Sequence, residues 1–185
     1  MLEEVLQEAV RRMKKTVEHV RDDFASIRTG RASASLLNRV MVSYYGTPTP
    51  LSQIASIAVP EPTLLVVSPY DKSVVGDVEK AILQSDLGLN PVNDGNVIRL
   101  PIPKLTEERR KELTRLVRSK AEDGRVAIRN VRRDAIEDLR AFEKDGEITK
   151  DDLRHGQEEA QKLTDRFITE TDEMLKVKEK ELMEV

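Results

Sequence analysis

Apolar residues recur at helical spacing in three separate stretches of the chain. In the first, Leu2, Leu6, Ala9, Met13, Val17, Val20, Phe24 and Ile27 step by four and three. This spacing predicts a helix from residue 2 to about 28, with Gly30 as its stop. In the second, proline-free from about Thr106 to Lys144, the seam is Leu113, Val117, Ala121, Ile128, Val131, Ala135, Leu139 and Phe142. Thr106 is its expected N-cap, with Glu107 and Glu108 in the first turn where the helix dipole favours carboxylates. Gly146 is its expected stop. The third is capped by Thr149, with Asp152 three residues on as a capping box, and buries Leu153, Gly156, Ala160, Leu163, Phe167, Thr171 and Met174, continuing to Leu182. The link between the second and third helices is short enough to require an antiparallel hairpin.

Between about Asn38 and Leu105 the pattern changes. Val40, Val42 and Tyr44 alternate with Met41 and Ser43 as in a strand. Short β-prone runs follow at residues 54–59 and 63–67, separated by Pro60-Glu61-Pro62. A helix is expected from about Ser73 to Ser85, and Asn93-Asp94-Gly95 is a hairpin-type turn into a strand at residues 96–100. All eight prolines lie in this region, which marks it as a separate domain. The expected fold is therefore α+β: an elongated antiparallel three-helix bundle (residues 1–29 and 106–185) with a small β/α/β domain (30–105) inserted between its first and second helices. The chain crosses the junction twice. Arg28, Thr29, Gly30 and Arg31 going out, and Pro101, Pro103 and Lys104 returning, are the hinge candidates.

Composition narrows the function classes. Among 185 residues, 35% are charged and 3% aromatic, which suits long helices better than a large sheet core. A net charge of −3 argues against indiscriminate coating of nucleic acid, so any such contact must come from local charge segregation. With no cysteine, disulfides, thiol catalysis and cysteine-ligated zinc are excluded. No secretory signal or membrane span is visible, and a cytoplasmic protein is expected. His19 and His155 fall on different helices and read as surface residues. Asp71 reads as a cap, and Tyr44-Tyr45 as edge packing rather than a base-stacking platform. No phosphate-binding loop, dinucleotide fingerprint, nucleophile elbow or two-histidine metal motif is present, so neither an enzyme nor a bound metal or cofactor is expected.

Charge is segregated on the long helix. Taking about 100° per residue with Ile128 at zero, Lys111, Arg115, Arg118, Arg125, Arg129, Arg132, Arg133 and Arg140 fall between roughly 40° and 140°. Acidic residues, among them Asp123, Asp134 and Asp138, fall between roughly 180° and 280°. Glu122 interrupts the basic side and Lys120 the acidic side. Mixed charges on a helix usually form a solvated, self-paired face. Segregation to one side, and the use of arginine, whose planar fork suits bidentate phosphate contact, favour a nucleic-acid interface instead. A helical adaptor or chaperone that binds a protein partner is the alternative.

Several blocks of the chain resemble bacterial ribosome recycling factors. Arg28-Thr29-Gly30-Arg31-Ala32-Ser33 is similar to the family's junction motif. Ser85-Asp86-Leu87-Gly88-Leu89-Asn90-Pro91 and Ile98-Arg99-Leu100-Pro101-Ile102-Pro103 are similar to its second-domain signatures, and residues 105–110 and 125–135 to its long-helix blocks. The resemblance implies a monomeric factor, bundle and hinged domain together roughly imitating transfer RNA. With elongation factor G and GTP it would split the post-termination ribosome, its bundle lying on large-subunit ribosomal RNA. It carries the family's basic residues onto Arg129 and Arg132, and also onto Arg110, Arg133, Arg28 and Arg31. Gly124 departs from the pattern, alanine being more usual there, and a mid-helix glycine costs roughly 1 kcal/mol relative to alanine.

Overall fold

A computed structural model describes residues 1–184. The chain divides into two compact units, Met1–Arg28 with Glu107–Glu184, and Thr29–Thr106. The first unit consists of α1 (Leu2–Ser26), α4 (Glu107–Lys144) and α5 (Lys150–Met183), and the shorter helices α2 (Leu51–Ile54) and α3 (Val75–Gln84) belong to the second. α1 ends before Gly30: Ile27 is already extended, and Gly30, at φ +77°, lies in the turn beyond.

The seams read from the sequence meet in a common core, with Ala9, Met13 and Val17 of α1 packed with Ile128, Val131 and Ala135 of α4 and Phe167 of α5. Thr164 and Thr171 are fully buried, and their hydroxyls donate back to the carbonyls of Ala160 and Phe167, so no polar atom is stranded there. The α4–α5 reversal is built from local chemistry. Gly146, at φ +76°, donates to Glu143 O, and Glu147 donates to Phe142 O, the paired bonds of a Schellman stop. Two residues later Thr149 and Asp152 form a reciprocal capping box.

Gly124 is a packing residue. It is buried on the α4 seam, and a Cβ built on it would lie 2.5 Å from Cγ2 of Val20 in α1. Gly156 of α5 is equally close to neighbours, with Leu139 Cδ1 at 2.6 Å and Leu2 Cδ1 at 2.7 Å from such a Cβ.

The second unit holds more strands than the alternation of its residues predicts. β1 (Met41–Tyr44) and β2 (Thr47–Pro50) form a two-stranded hairpin. Its two-residue loop, Tyr45 at φ +47° and Gly46 at φ +80°, has the positive angles of a type I′ turn. Both strands of this ribbon are edges, which is why β2 accommodates Pro48 and Pro50. β3 (Ala55–Glu61), β4 (Leu64–Pro69), β5 (Val92–Asn93) and β6 (Ile98–Pro101) form an antiparallel sheet of order β3-β4-β6-β5. Pro60 does not end β3 as expected. The strand lies at the sheet edge, and its register slips between Ala58 and Glu61. Leu65 and Val67 of β4, Ile98 and Leu100 of β6, and Val78 and Ile82 of α3 fill the core.

Candidate nucleic-acid interface

The basic side of α4 separates into two rows with different surroundings. Arg118, Arg125 and Arg132 are spaced by seven residues, so they lie almost one above another along the helix. This inner row faces α5. Arg118 Nε donates to Glu179 at 2.6 Å, Arg125 Nε to Asp172 at 2.7 Å, and Arg132 Nη1 to Gln161 at 3.0 Å. The partners descend as the arginines ascend, as an antiparallel pair of helices requires. Arg125 is the most enclosed, its side chain 19% exposed and also bound to Glu122 at 2.8 Å. Arg118 and Arg125 are thus anchored as interhelical pairs, whereas among the described residues Arg132 meets only a neutral amide and keeps its full positive charge available.

The outer row comprises Arg115, Arg129, Arg133 and Arg140, all exposed. Arg129 reaches Glu122 only at 3.5 Å. Arg115, Arg133 and Arg140 have no hydrogen-bond or ion-pair partner among the described residues. Glu122 lies on the meridian of the outer row with both carboxylate oxygens engaged, Oε2 by Arg125 and Oε1 by Arg129. The hydrogen bond from Arg125, opposed by slight desolvation and aided by both guanidinium charges, holds this carboxyl below its ordinary range.

Arg110 is placed differently. It shares the seam meridian of Ile128, is half-buried, and its Nε is out of solvent without a partner among the described residues. Sequence reasoning registered Glu122 only as an exception and missed Gln161, Asp172 and Glu179 altogether. A signal existed: two acids seven residues apart on the third helix mirror two arginines seven apart on the second.

Of the hinge candidates, Arg28 is the last residue of the first unit's opening segment, and the others fall at the ends of the second unit. Ala32 N–H donates to Pro62 O, which leaves Thr29, Gly30 and Arg31 as the outgoing link. Pro101 is not a free linker residue. It pairs with Leu64 in the sheet, and Ile102 N–H extends the ladder to Thr63 O. Pro103 and Lys104 are exposed and outside regular structure. Asp71 caps the turn after β4 by accepting from Ser73 N–H, and accepts the Tyr45 hydroxyl at 2.7 Å. Tyr44 and Tyr45 meet edge to face with centroids 4.7 Å apart, and Tyr45 remains 73% exposed at the hairpin tip. Among the described residues, no cluster of His, Asp or Glu could hold a metal ion, and no helix is long and apolar enough to cross a membrane.

A family model described as ribosome recycling factor matches residues 20–183. The ribosome-recycling factors of Syntrophomonas wolfei and Geobacillus kaustophilus are 55% and 57% identical to this chain over 185 residues, covering the whole of both chains in each case. A solution structure of a ribosome recycling factor is similar with a TM-score of 0.79 at 43% identity, covering 100% of this chain and 98% of that one. The T. thermophilus ribosome recycling factor, represented together with E. coli elongation factor G bound to the E. coli post-termination complex, is similar with a TM-score of 0.67 at 44% identity, covering 99% of each chain.

Proposed function

The chain belongs to the ribosome recycling factor family, and on that footing we propose that its helical bundle binds large-subunit ribosomal RNA through the outer arginine row of α4. With elongation factor G and GTP, the chain then splits the post-termination ribosome into subunits, acting as a non-catalytic factor. The observation that carries the RNA contact is the division of the arginines. Arg118 and Arg125 are held by carboxylates of α5 at 2.6 and 2.7 Å, whereas Arg129 meets Glu122 only at 3.5 Å, Arg132 meets a neutral amide, and Arg133 has no partner among the described residues. Guanidinium groups aligned on one helix and at most loosely paired suit a phosphate backbone. The inserted domain supplies a second body for the translocase to push, with Thr29, Gly30 and Arg31 on one crossing and Pro103 and Lys104 on the other as its joint.

Titration against purified large subunits at several salt concentrations tests this. The parent should show a steep salt dependence, and Arg129→Gln or Arg133→Gln should weaken binding and lower the log–log slope by about one unit each. Arg118→Gln, removing a cation already paired with Glu179, should change the slope little. Binding that is strong and insensitive to salt would favour the helical-adaptor reading instead.

A further inference from the structure

Between Arg115 and Arg140, Glu122 is the one carboxylate set into the basic side of α4. Its side chain is 54% exposed, and its two oxygens take Nη1 of Arg125 at 2.8 Å and Nη1 of Arg129 at 3.5 Å. Arg125 does not depend on it, because Asp172 of α5 holds the other edge of the same guanidinium at 2.7 Å. Glu122 is itself more than half exposed, and with Asp172 still holding Arg125, its loss leaves no enclosed guanidinium without a carboxylate. As a structural element Glu122 is therefore nearly dispensable, yet it places a negative charge against one side of Arg129, where an approaching phosphate would meet it.

We infer that Glu122 is an affinity-limiting residue, a built-in competitor that occupies Arg129 in the free protein and must give way to phosphate on binding. Its charge repels the incoming backbone, and its bond to Arg129 is exchanged for the phosphate contact rather than added to it. The consequence is weaker equilibrium binding than the arginines alone would give, and faster departure. A factor used once per round of translation must leave after each round, so a tempered grip favours turnover. The inference rests on the RNA reading of the outer row and specifies how that contact is tuned.

The test uses the full chain carrying Glu122→Gln, Arg129→Gln, or both. Binding to purified large subunits is measured at two salt concentrations, with thermal unfolding and subunit splitting by elongation factor G and GTP followed in parallel. Glu122→Gln should bind roughly three- to tenfold tighter at the lower salt, with a smaller gain at the higher. Its melting temperature should stay within a few degrees, and its rate in later rounds of splitting should fall relative to the first. In the double variant the gain should shrink, because the arginine released from competition is gone. If Glu122→Gln binds equally or more weakly while Arg129→Gln still weakens binding, Glu122 is a bystander or a pre-organiser, and the inference falls with the RNA reading intact. If neither substitution alters binding, the outer row is not the RNA contact and both fall together.

Discussion

Gly124→Ala isolates the role of close packing in the bundle. In an exposed helix interior this change would stabilise by about 1 kcal/mol, because alanine restricts the unfolded chain and has the higher helix propensity. Here the added methyl would lie 2.5 Å from Val20 Cγ2, against roughly 3.5–4.0 Å for a favourable carbon contact. About 1–1.5 Å of relief is therefore needed. Val20 cannot easily supply it. It is 2% exposed, and a β-branched side chain in a helix is confined largely to one rotamer, so the α1 backbone must move. Overpacking of this kind costs about 1–3 kcal/mol, leaving a net destabilisation of about 1 kcal/mol after the propensity gain. For a unit of this size, that lowers the melting temperature by about 4–8 °C. Thermal and urea unfolding followed by helical circular dichroism would measure it. The decisive comparison is a cycle with Val20→Ala. The double variant should be at least about 1 kcal/mol more stable than the sum of the singles. Gly156→Ala is the control: Leu139 is as buried as Val20, but its contact and that of Leu2 are at the ends of side chains with two rotatable bonds, and Leu2 is only half-buried, so the cost should be smaller than at Gly124. A Gly124→Ala protein that melts higher than the parent, with no coupling to Val20, would refute the packing argument.

Two further outcomes are expected. Asp94 accepts N–H groups of Val97 and Asn96 and the Arg99 guanidinium, which together hold its pKa at about 2, below the ordinary 3.8. A depressed carboxylate pKa stabilises the fold above the unfolded value, and that stability is lost as pH falls from 3.8 towards 2. Asp94→Asn should therefore lower the stability of the second unit at neutral pH and flatten its acid dependence in that window, as acid titration would record. An unchanged acid limb would mean the turn does not depend on the carboxylate. The second outcome concerns the joint: distances between labels at Ser52 and Glu158 should be broadly distributed in free solution and narrow on the ribosome. A single narrow distance in both states would count against a working hinge.

Much of this protein is local and could be read along the chain. Apolar steps of three and four residues defined all three long helices, because a helix seam is a property of one segment and its own periodicity. The Thr149–Asp152 box and the Gly146 stop were equally legible, since their partners lie within a few residues of each other. Charge segregation on α4 could also be projected from spacing alone. What spacing could not show is which neighbour covers each side of that helix. Arg125 at about 60° and Arg129 at about 100° look equivalent in projection. They differ only because α5 runs antiparallel beside the first and brings Asp172 to it. The same holds for Gly124, which reads as a weakness in a single helix and becomes a contact once Val20 lies against it. Likewise Pro60 reads as a strand terminator until the sheet order places β3 at an edge, where a missing N–H can go without a partner. Tertiary structure decided these points because each depends on a residue distant in sequence. The sequence alone determined the elements and their polar and apolar faces, since those depend only on the geometry of a single backbone segment.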